Sequence, residues 1–353
     1  MKKINVGIIG TGAIGPVHAD AYVASAQANI VALCDINNEK LARHAGRLGV
    51  GKQYADYRDL LADKDVQAVS VCVPNHLHRP IAVAALQAGK HVLLEKPMAM
   101  NAREASEIVQ AARKARRVLQ IGMVNRQRPE VQAARKLIED GFFGEIYQMR
   151  AVIIRRRGIP GLGRWFTTKK QSGGGPLIDV GVHMMDIAMY LSDLWKPTAV
   201  SSITHARFGN RMRDYRYVGM WAGPPDFDGV FDVEDYASGF VRFGRQAAMS
   251  IEIAWAANAQ EEHYVEVMGD KAGVRVMDGK PLTILTEHGQ QVADLQPKCQ
   301  EKVDAFHVQA GKFAAACRGD IPPAATGQQG MTMMKLIDAI YASAKAGKEV
   351  AIK

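Results

Sequence analysis

Apolar runs and amphipathic stretches alternate along the first third of this chain, and their spacing predicts a repeat of strand and helix. Short, nearly continuous apolar runs near 4–9, 30–34, 67–73, 91–94 and 117–121 have the length of strands buried on both faces. Between them, stretches near 13–26, 38–48, 76–89 and 101–115 read as helices, the third ending on Gly89, a residue suited to a helix terminus. Strands separated by helices with short connections specify a parallel sheet with helices on both faces, the doubly wound α/β arrangement. This unit closes near Gly122. From Arg128 the pattern changes: a helix is expected near 129–140, then a strand near 145–156, a Gly/Pro-rich loop from Gly158 to Gly163, and a helix near 176–191. Beyond it, Tyr236–Phe243, Ala247–Ala256 and Tyr264–Gly269 alternate in character and are joined by turn signals such as Asp278-Gly279 and His288-Gly289, which implies a largely antiparallel sheet. Two closing helices near 300–318 and 328–346 flank Pro322-Pro323, where a helix cannot continue.

Composition narrows this picture. A chain of 353 residues exceeds the usual size of one domain, so two are expected, over 1–122 and 123–353. With 48% hydrophobic and 23% charged residues it has the balance of an ordinary globular protein. No apolar run approaches a membrane span, and Met1-Lys-Lys leads straight into the first strand, which argues against a signal peptide and for a cytoplasmic protein without a membrane partner. Cys34, Cys72, Cys299 and Cys317 are scattered and lack ligand spacing, so they read as reduced packing residues and no metal is expected. The net charge of +9 is spread along the chain. Its one dense run, Arg155-Arg156-Arg157, ends a strand whose alternation sets Arg156 opposite its neighbours, so a solvated or site-lining edge explains it better than a nucleic-acid patch. The aromatic and basic segment Tyr215–Gly229 lacks an RNA-binding framework and reads as a lid or part of a subunit contact.

The first apolar run carries the strongest chemistry. Val6-Gly-Ile-Ile-Gly-Thr-Gly-Ala-Ile-Gly15 sets Gly10, Gly12 and Gly15 where a strand-to-helix turn brings bare backbone against a pyrophosphate, with Thr11, Ala13 and Ile14 completing the cofactor loop. About twenty residues further on, Asp35 ends the second apolar strand, where a carboxylate accepts from a ribose 2′-hydroxyl and repels a 2′-phosphate. NAD is therefore expected ahead of NADP. The bland alternative is that Asp35 only caps the following helix. A second motif, His91-Val-Leu-Leu-Glu-Lys-Pro97, delivers Lys96 at the carboxyl end of a strand, where ligands of doubly wound sheets bind, and Pro97 fixes the backbone beyond it. A third, Gly174-Gly-Pro-Leu-Ile-Asp179-Val-Gly-Val-His183, starts a helix at Pro176 and places Asp179 and His183 four apart on one face.

With Val73-Pro74-Asn75-His76-Leu77-His78, these motifs give the whole chain a resemblance to the Gfo/Idh/MocA oxidoreductases. The resemblance implies a dinucleotide-binding Rossmann domain followed by an α/β domain with a large, mostly antiparallel open sheet, often buried in a homodimer or homotetramer interface. It also implies oxidation or reduction of a secondary carbinol of a sugar, glycoside or cyclitol, with Lys96, Asp179 and His183 at the reacting carbon. Pro74, Asn75 and His78 are then expected on the nicotinamide ribose side, with Glu95 and Pro97 completing the cofactor set. His78 could equally be an exposed helix residue. Chemistry suits these roles: a neutral imidazole, His183, takes the hydroxyl proton, Lys96 steadies the developing alkoxide, and Asp179 orients a hydroxyl or His183 itself. Arg157, Arg164 and Trp165 are expected to meet the substrate, and the loop is similar to that of members acting on glucosides at the 3-hydroxyl. Two rivals stay open: a glycoside-cleaving member that recycles its NAD, and a cofactor-binding regulator without turnover.

Overall fold

The computed structural model describes residues 2–277, 279–299 and 303–352. The chain divides into two compact units, residues 1–127 with 303–331, and residues 128–302 with 332–353.

In the first unit the expected alternation is present: β1 (Ile4–Ile9), α1 (Ile14–Ser25), β2 (Ala28–Cys34), α2 (Asn38–Leu48), β3 (Lys52–Tyr54), α3 (Tyr57–Ala62), β4 (Ala68–Val71), α4 (His78–Gln87), β5 (His91–Leu94), α5 (Ala102–Ala115) and β6 (Leu119–Ile121). Among the described residues the strands form one parallel sheet in the order β3-β2-β1-β4-β5-β6. The order reverses between β1 and β4, which opens a crevice at their carboxyl ends. The pair β3 and α3 is an addition to the expected elements. Three residues of strand and six of helix are too short to show a period.

The second unit holds α6 (Pro129–Glu139), β7 (Ile146–Ile154), α7 (Lys169–Ser172), α8 (Val182–Ser192), β8 (Ala199–His205), β9 (Tyr236–Phe243), β10 (Ala247–Ala254), β11 (Glu262–Gly269), β12 (Ala272–Met277), β13 (Thr283–His288) and β14 (Gln291–Leu295). Its sheet runs β14-β13-β12-β11-β7-β10-β9-β8, closed at the edge by β15 (Val350–Ala351). Among the described residues, pairing is antiparallel except between β7 and β10. One face is covered by α8, which packs on β7 and β11 and is backed by α6. The expected regular helix over 176–191 is corrected here: Leu177–Gly181 form a wide π-helical turn, and the α-helix begins at Val182. Such one-turn widenings recur at functional sites, and an apolar sequence gives no periodic sign of them.

The chain then returns to the first unit. α9 (Ala305–Arg318), capped by Asp304, packs Ala310, Phe313 and Ala314 into the core beside Ala19 and Tyr22 of α1. α10 (Gly327–Ala346) begins in the first unit and ends in the second. A single boundary near 122 therefore differs from the observed division, because the packing of α9 on α1 is a long-range contact. The expected helix start near 300 and the Asp278 turn position lie outside the described residues. Among the described residues, no helix is long and apolar enough to cross a membrane.

Candidate active site

The glycine turn after β1 borders a cleft of about 550 Å³, lined in part by Gly10, Gly12, Asp35, Ile36, Tyr57 and Pro74. Gly10 holds a φ of +95°, and a Cβ there would lie 2.3 Å from the Cys72 carbonyl oxygen, so no other residue fits between β1 and β4. A Cβ on Gly12 would meet nothing within 4 Å. The turn is thus tight on its inner side and open toward the cleft, the form a pyrophosphate requires beside the first turn of α1. Asp35 reaches back to this turn: its Oδ2 accepts from the Thr11 amide at 2.6 Å and the Thr11 hydroxyl at 2.9 Å. Asp35 Oδ1 accepts from the Asn37 amide, while Asn37 itself caps α2. The capping alternative for Asp35 therefore gives way to a carboxylate that braces the phosphate turn and lines the cleft. These residues fit a dinucleotide.

Three expected cofactor residues are engaged within the chain. His78 is buried, its Nδ1 2.7 Å from the Pro97 carbonyl and its Nε2 2.8 Å from that of Val73. Burial pushes its pKa down against those two carbonyls. It is not an exposed helix residue; it ties two loops together. Glu95 is buried and gives its carboxylate to His18 and to the Lys96 amide. Pro97 is also buried, whereas Lys96 is half-buried at the end of β5. Asn75, buried, opens the short 3₁₀ turn ahead of α4.

In the second unit, Asp179 lies in the π-helical turn, 6% exposed, and its Oδ2 accepts from the Trp255 indole at 3.1 Å. His183 is half-buried on the first turn of α8. The start of this segment is anchored by Glu234, whose carboxylate accepts from the amides of Gly175 (3.0 Å) and Leu177 (3.2 Å) and from the Tyr341 hydroxyl (2.9 Å). Burial raises the Glu234 pKa, opposed by these donors. Trp255, Glu234 and Tyr341 escaped the sequence reading, since each acts across more than 50 residues of chain and no local pattern marks its partner.

This anchor explains the glycines of the third motif. A Cβ on Gly175 would lie 2.0 Å from the Glu234 carbonyl oxygen. Gly175→Ala, which in an open helix would stabilise, is expected to cost on the order of 1–3 kcal/mol by forcing that backbone apart. A thermal melt checks this; a variant melting at or above the parent temperature contradicts the close approach.

The loop after β7 is built on the same region, because the Gly158 amide donates to the Trp255 carbonyl at 2.7 Å. Trp165 stacks on Phe166 with centroids 3.7 Å apart, and Trp221 meets Phe166 edge-on at 5.0 Å. The Tyr215–Gly229 segment folds onto this loop through Ala222 and Asp226 amides donating to Pro160 and Leu162 carbonyls. Arg164 donates to the Pro224 carbonyl and is exposed. Arg157, in contrast, spends its guanidinium on the Ala257 carbonyl and Asn258 Oδ1 and stacks over Phe208, so it serves as a clamp within the chain. Among the described residues no cluster of His, Cys, Asp or Glu could hold a metal ion.

Two family models match the chain, an oxidoreductase family with an NAD-binding Rossmann fold over residues 4–123 and a GFO/IDH/MocA C-terminal domain over residues 131–275. The chain is similar to D-glucoside 3-dehydrogenase of Escherichia coli (strain K12), at 31% identity over 99% of this chain and 97% of that one. It is also similar to levoglucosan dehydrogenase of Pseudarthrobacter phenanthrenivorans, at 30% identity over 78% of this chain and 73% of the relative. Among solved structures, levoglucosan dehydrogenase in complex with NADH and levoglucosan shares the fold with a TM-score of 0.86, at 24% identity and covering 99% of this chain and 100% of that one.

Proposed function

The chain belongs to the Gfo/Idh/MocA oxidoreductases, and on that premise we propose that it is an NAD-dependent dehydrogenase oxidising a secondary hydroxyl of a sugar ring, a D-glucoside at its 3-hydroxyl first among candidates. The observation that carries the reading is Asp179, buried in a widened turn, held by Trp255 and followed one turn later by half-buried His183. A polar pair kept at such a cost in an apolar helix points to chemistry more than to packing.

Bound NAD would supply the hydride acceptor for this oxidation. His183 takes the hydroxyl proton as general base, and the Lys96 ammonium hydrogen-bonds the same oxygen and stabilises its alkoxide character. Asp179, its angle fixed by the indole, orients an adjacent hydroxyl or the His183 ring. Trp165 and Trp221 offer aromatic faces to the apolar side of a pyranose, and exposed Arg164 offers donors to its hydroxyls. Pro74 and Asn75, which follow β4, are the residues proposed for the nicotinamide ribose side. Asp35 favours NAD over NADP. The open face of the large sheet, where Arg150 and Arg275 both pair with Glu266 at 3.0 Å, is the proposed surface of a homodimer or homotetramer, and the cytoplasm is the proposed compartment.

Methyl β-D-glucoside, levoglucosan and myo-inositol supplied with NAD test the reading by NADH absorbance. A pyranoside is expected to be oxidised with the highest kcat/KM. No NADH from any of the three contradicts it.

A further inference from the structure

Lys96 is held from both sides by buried histidines of the first unit. On one side its amide donates to Glu95 Oε2 at 3.2 Å, and Glu95 Oε1 accepts from His18 Nε2 of α1 at 2.9 Å. His18 continues through Nδ1 to the Ser70 hydroxyl of β4 (3.2 Å), which is shared with the Tyr22 hydroxyl at 2.7 Å, and the Phe306 ring of α9 tilts over it with centroids 6.0 Å apart. On the other side His78 of α4 holds the Pro97 carbonyl. His18 is 2% exposed and Glu95 7%, among mostly apolar buried residues.

A buried pair of this kind is a poor source of stability, because removing two charges from water offsets most of their attraction, and an apolar pair of equal volume does as well or better. What an apolar pair cannot do is accept a hydrogen bond from the Lys96 amide. We propose that His18 and Glu95 are positioning residues for Lys96, setting the direction of its side chain through the backbone turn that carries it. This rests on the catalytic role given to Lys96 above. The charge state agrees. Burial works against the His18 cation, but Cys72 and Glu95 outweigh it and raise its pKa to about 10. Burial likewise opposes the Glu95 anion, and His18 with Lys96 brings its pKa below the ordinary value.

A double-mutant cycle tests the proposal, with methyl β-D-glucoside and NAD as the assayed pair. Glu95→Leu is close in volume and removes the oxygens that accept from the Lys96 amide and from His18. In the presence of Lys96 it is expected to lower kcat about 10–100-fold with the Kd for NAD changed less than about twofold, and in a Lys96→Ala background to lower the residual rate less than about threefold. Equal losses in both backgrounds, or full kcat in the single variant, overturn the proposal. If Lys96→Ala alone retains full kcat, the catalytic reading of Lys96 falls instead, so the two failures are distinguishable. His18→Gln gives the same pattern should Glu95→Leu fail to fold.

A second readout needs no substrate. Facing His18 are Ser70 of β4 and Cys72 just after it, Tyr22 of its own helix, Glu95 beyond β5 and Phe306 of α9, and Lys96 stands next to Glu95. A folded-state pKa of about 10 lies above the ordinary value of 6.5, so the stabilisation is complete below 6.5 and is lost as pH rises through 10. Tm of the parent is therefore expected to fall over that range more steeply than Tm of His18→Gln, and parallel curves overturn the charged pair.

Discussion

Replacing His183 with alanine is expected to lower kcat by about 10²–10⁴-fold, the range associated with losing a general base, while the Kd for NAD stays within a few fold. His183 stands on α8 in the second unit, and the phosphate turn, Asp35 and Pro74 belong to the first, so none of the proposed cofactor residues is altered. Lys96→Ala is expected to fall comparably, because in the proposed mechanism its cation acts on charge that develops in the transition state. The same mechanism has both groups serving one oxygen and its proton, so the double variant should be far from additive. Tm measured beside turnover separates this from a packing role. A histidine that merely fills a helix face would, when removed, lower Tm and leave the rate of the folded protein near normal.

The second large effect is expected at the cofactor. Asp35→Ser combined with Ile36→Arg removes the carboxylate that would repel a 2′-phosphate and adds a cation at a cleft-lining position that is 92% exposed. Hydrogen bonds to a charged group contribute about 1.5–3 kcal/mol, so kcat/KM with NAD should fall roughly 10–100-fold while that with NADP rises, reversing the preference. Because Asp35 also braces Thr11, Asp35→Ser alone is expected to weaken both cofactors somewhat. Unchanged NAD affinity in Asp35→Ser removes the ribose assignment.

Much of the first unit was legible because parallel strands buried on both faces read as apolar runs, and Gly10, Gly12 and Asp35 mark the turn and strand end that face the cleft. What escaped was short or remote. β3 has three residues and no period. α9 is rich in alanine and only weakly amphipathic, and nothing in its sequence says that Phe313 packs beside Tyr22. At the site, Lys96, Asp179 and His183 stand out as polar residues in apolar runs, whereas their supports do not. His18 reads as one polar position on α1, Trp255 as the end of a β-strand, and Glu234 as part of an acidic loop, and only tertiary structure gives each its partner. Glu95 and His78 show the same limit from the other direction: the motifs single them out, but only the fold shows that they hold the backbone on either side of Lys96.

The central claim is net oxidation of a ring hydroxyl with hydride transfer to NAD, and methyl β-D-glucopyranoside deuterated at carbon 3 tests it most directly. The account predicts reduced cofactor carrying that deuterium, formed in step with a 3-keto glycoside that retains its methoxy group. Methanol released without accumulation of reduced cofactor would contradict it.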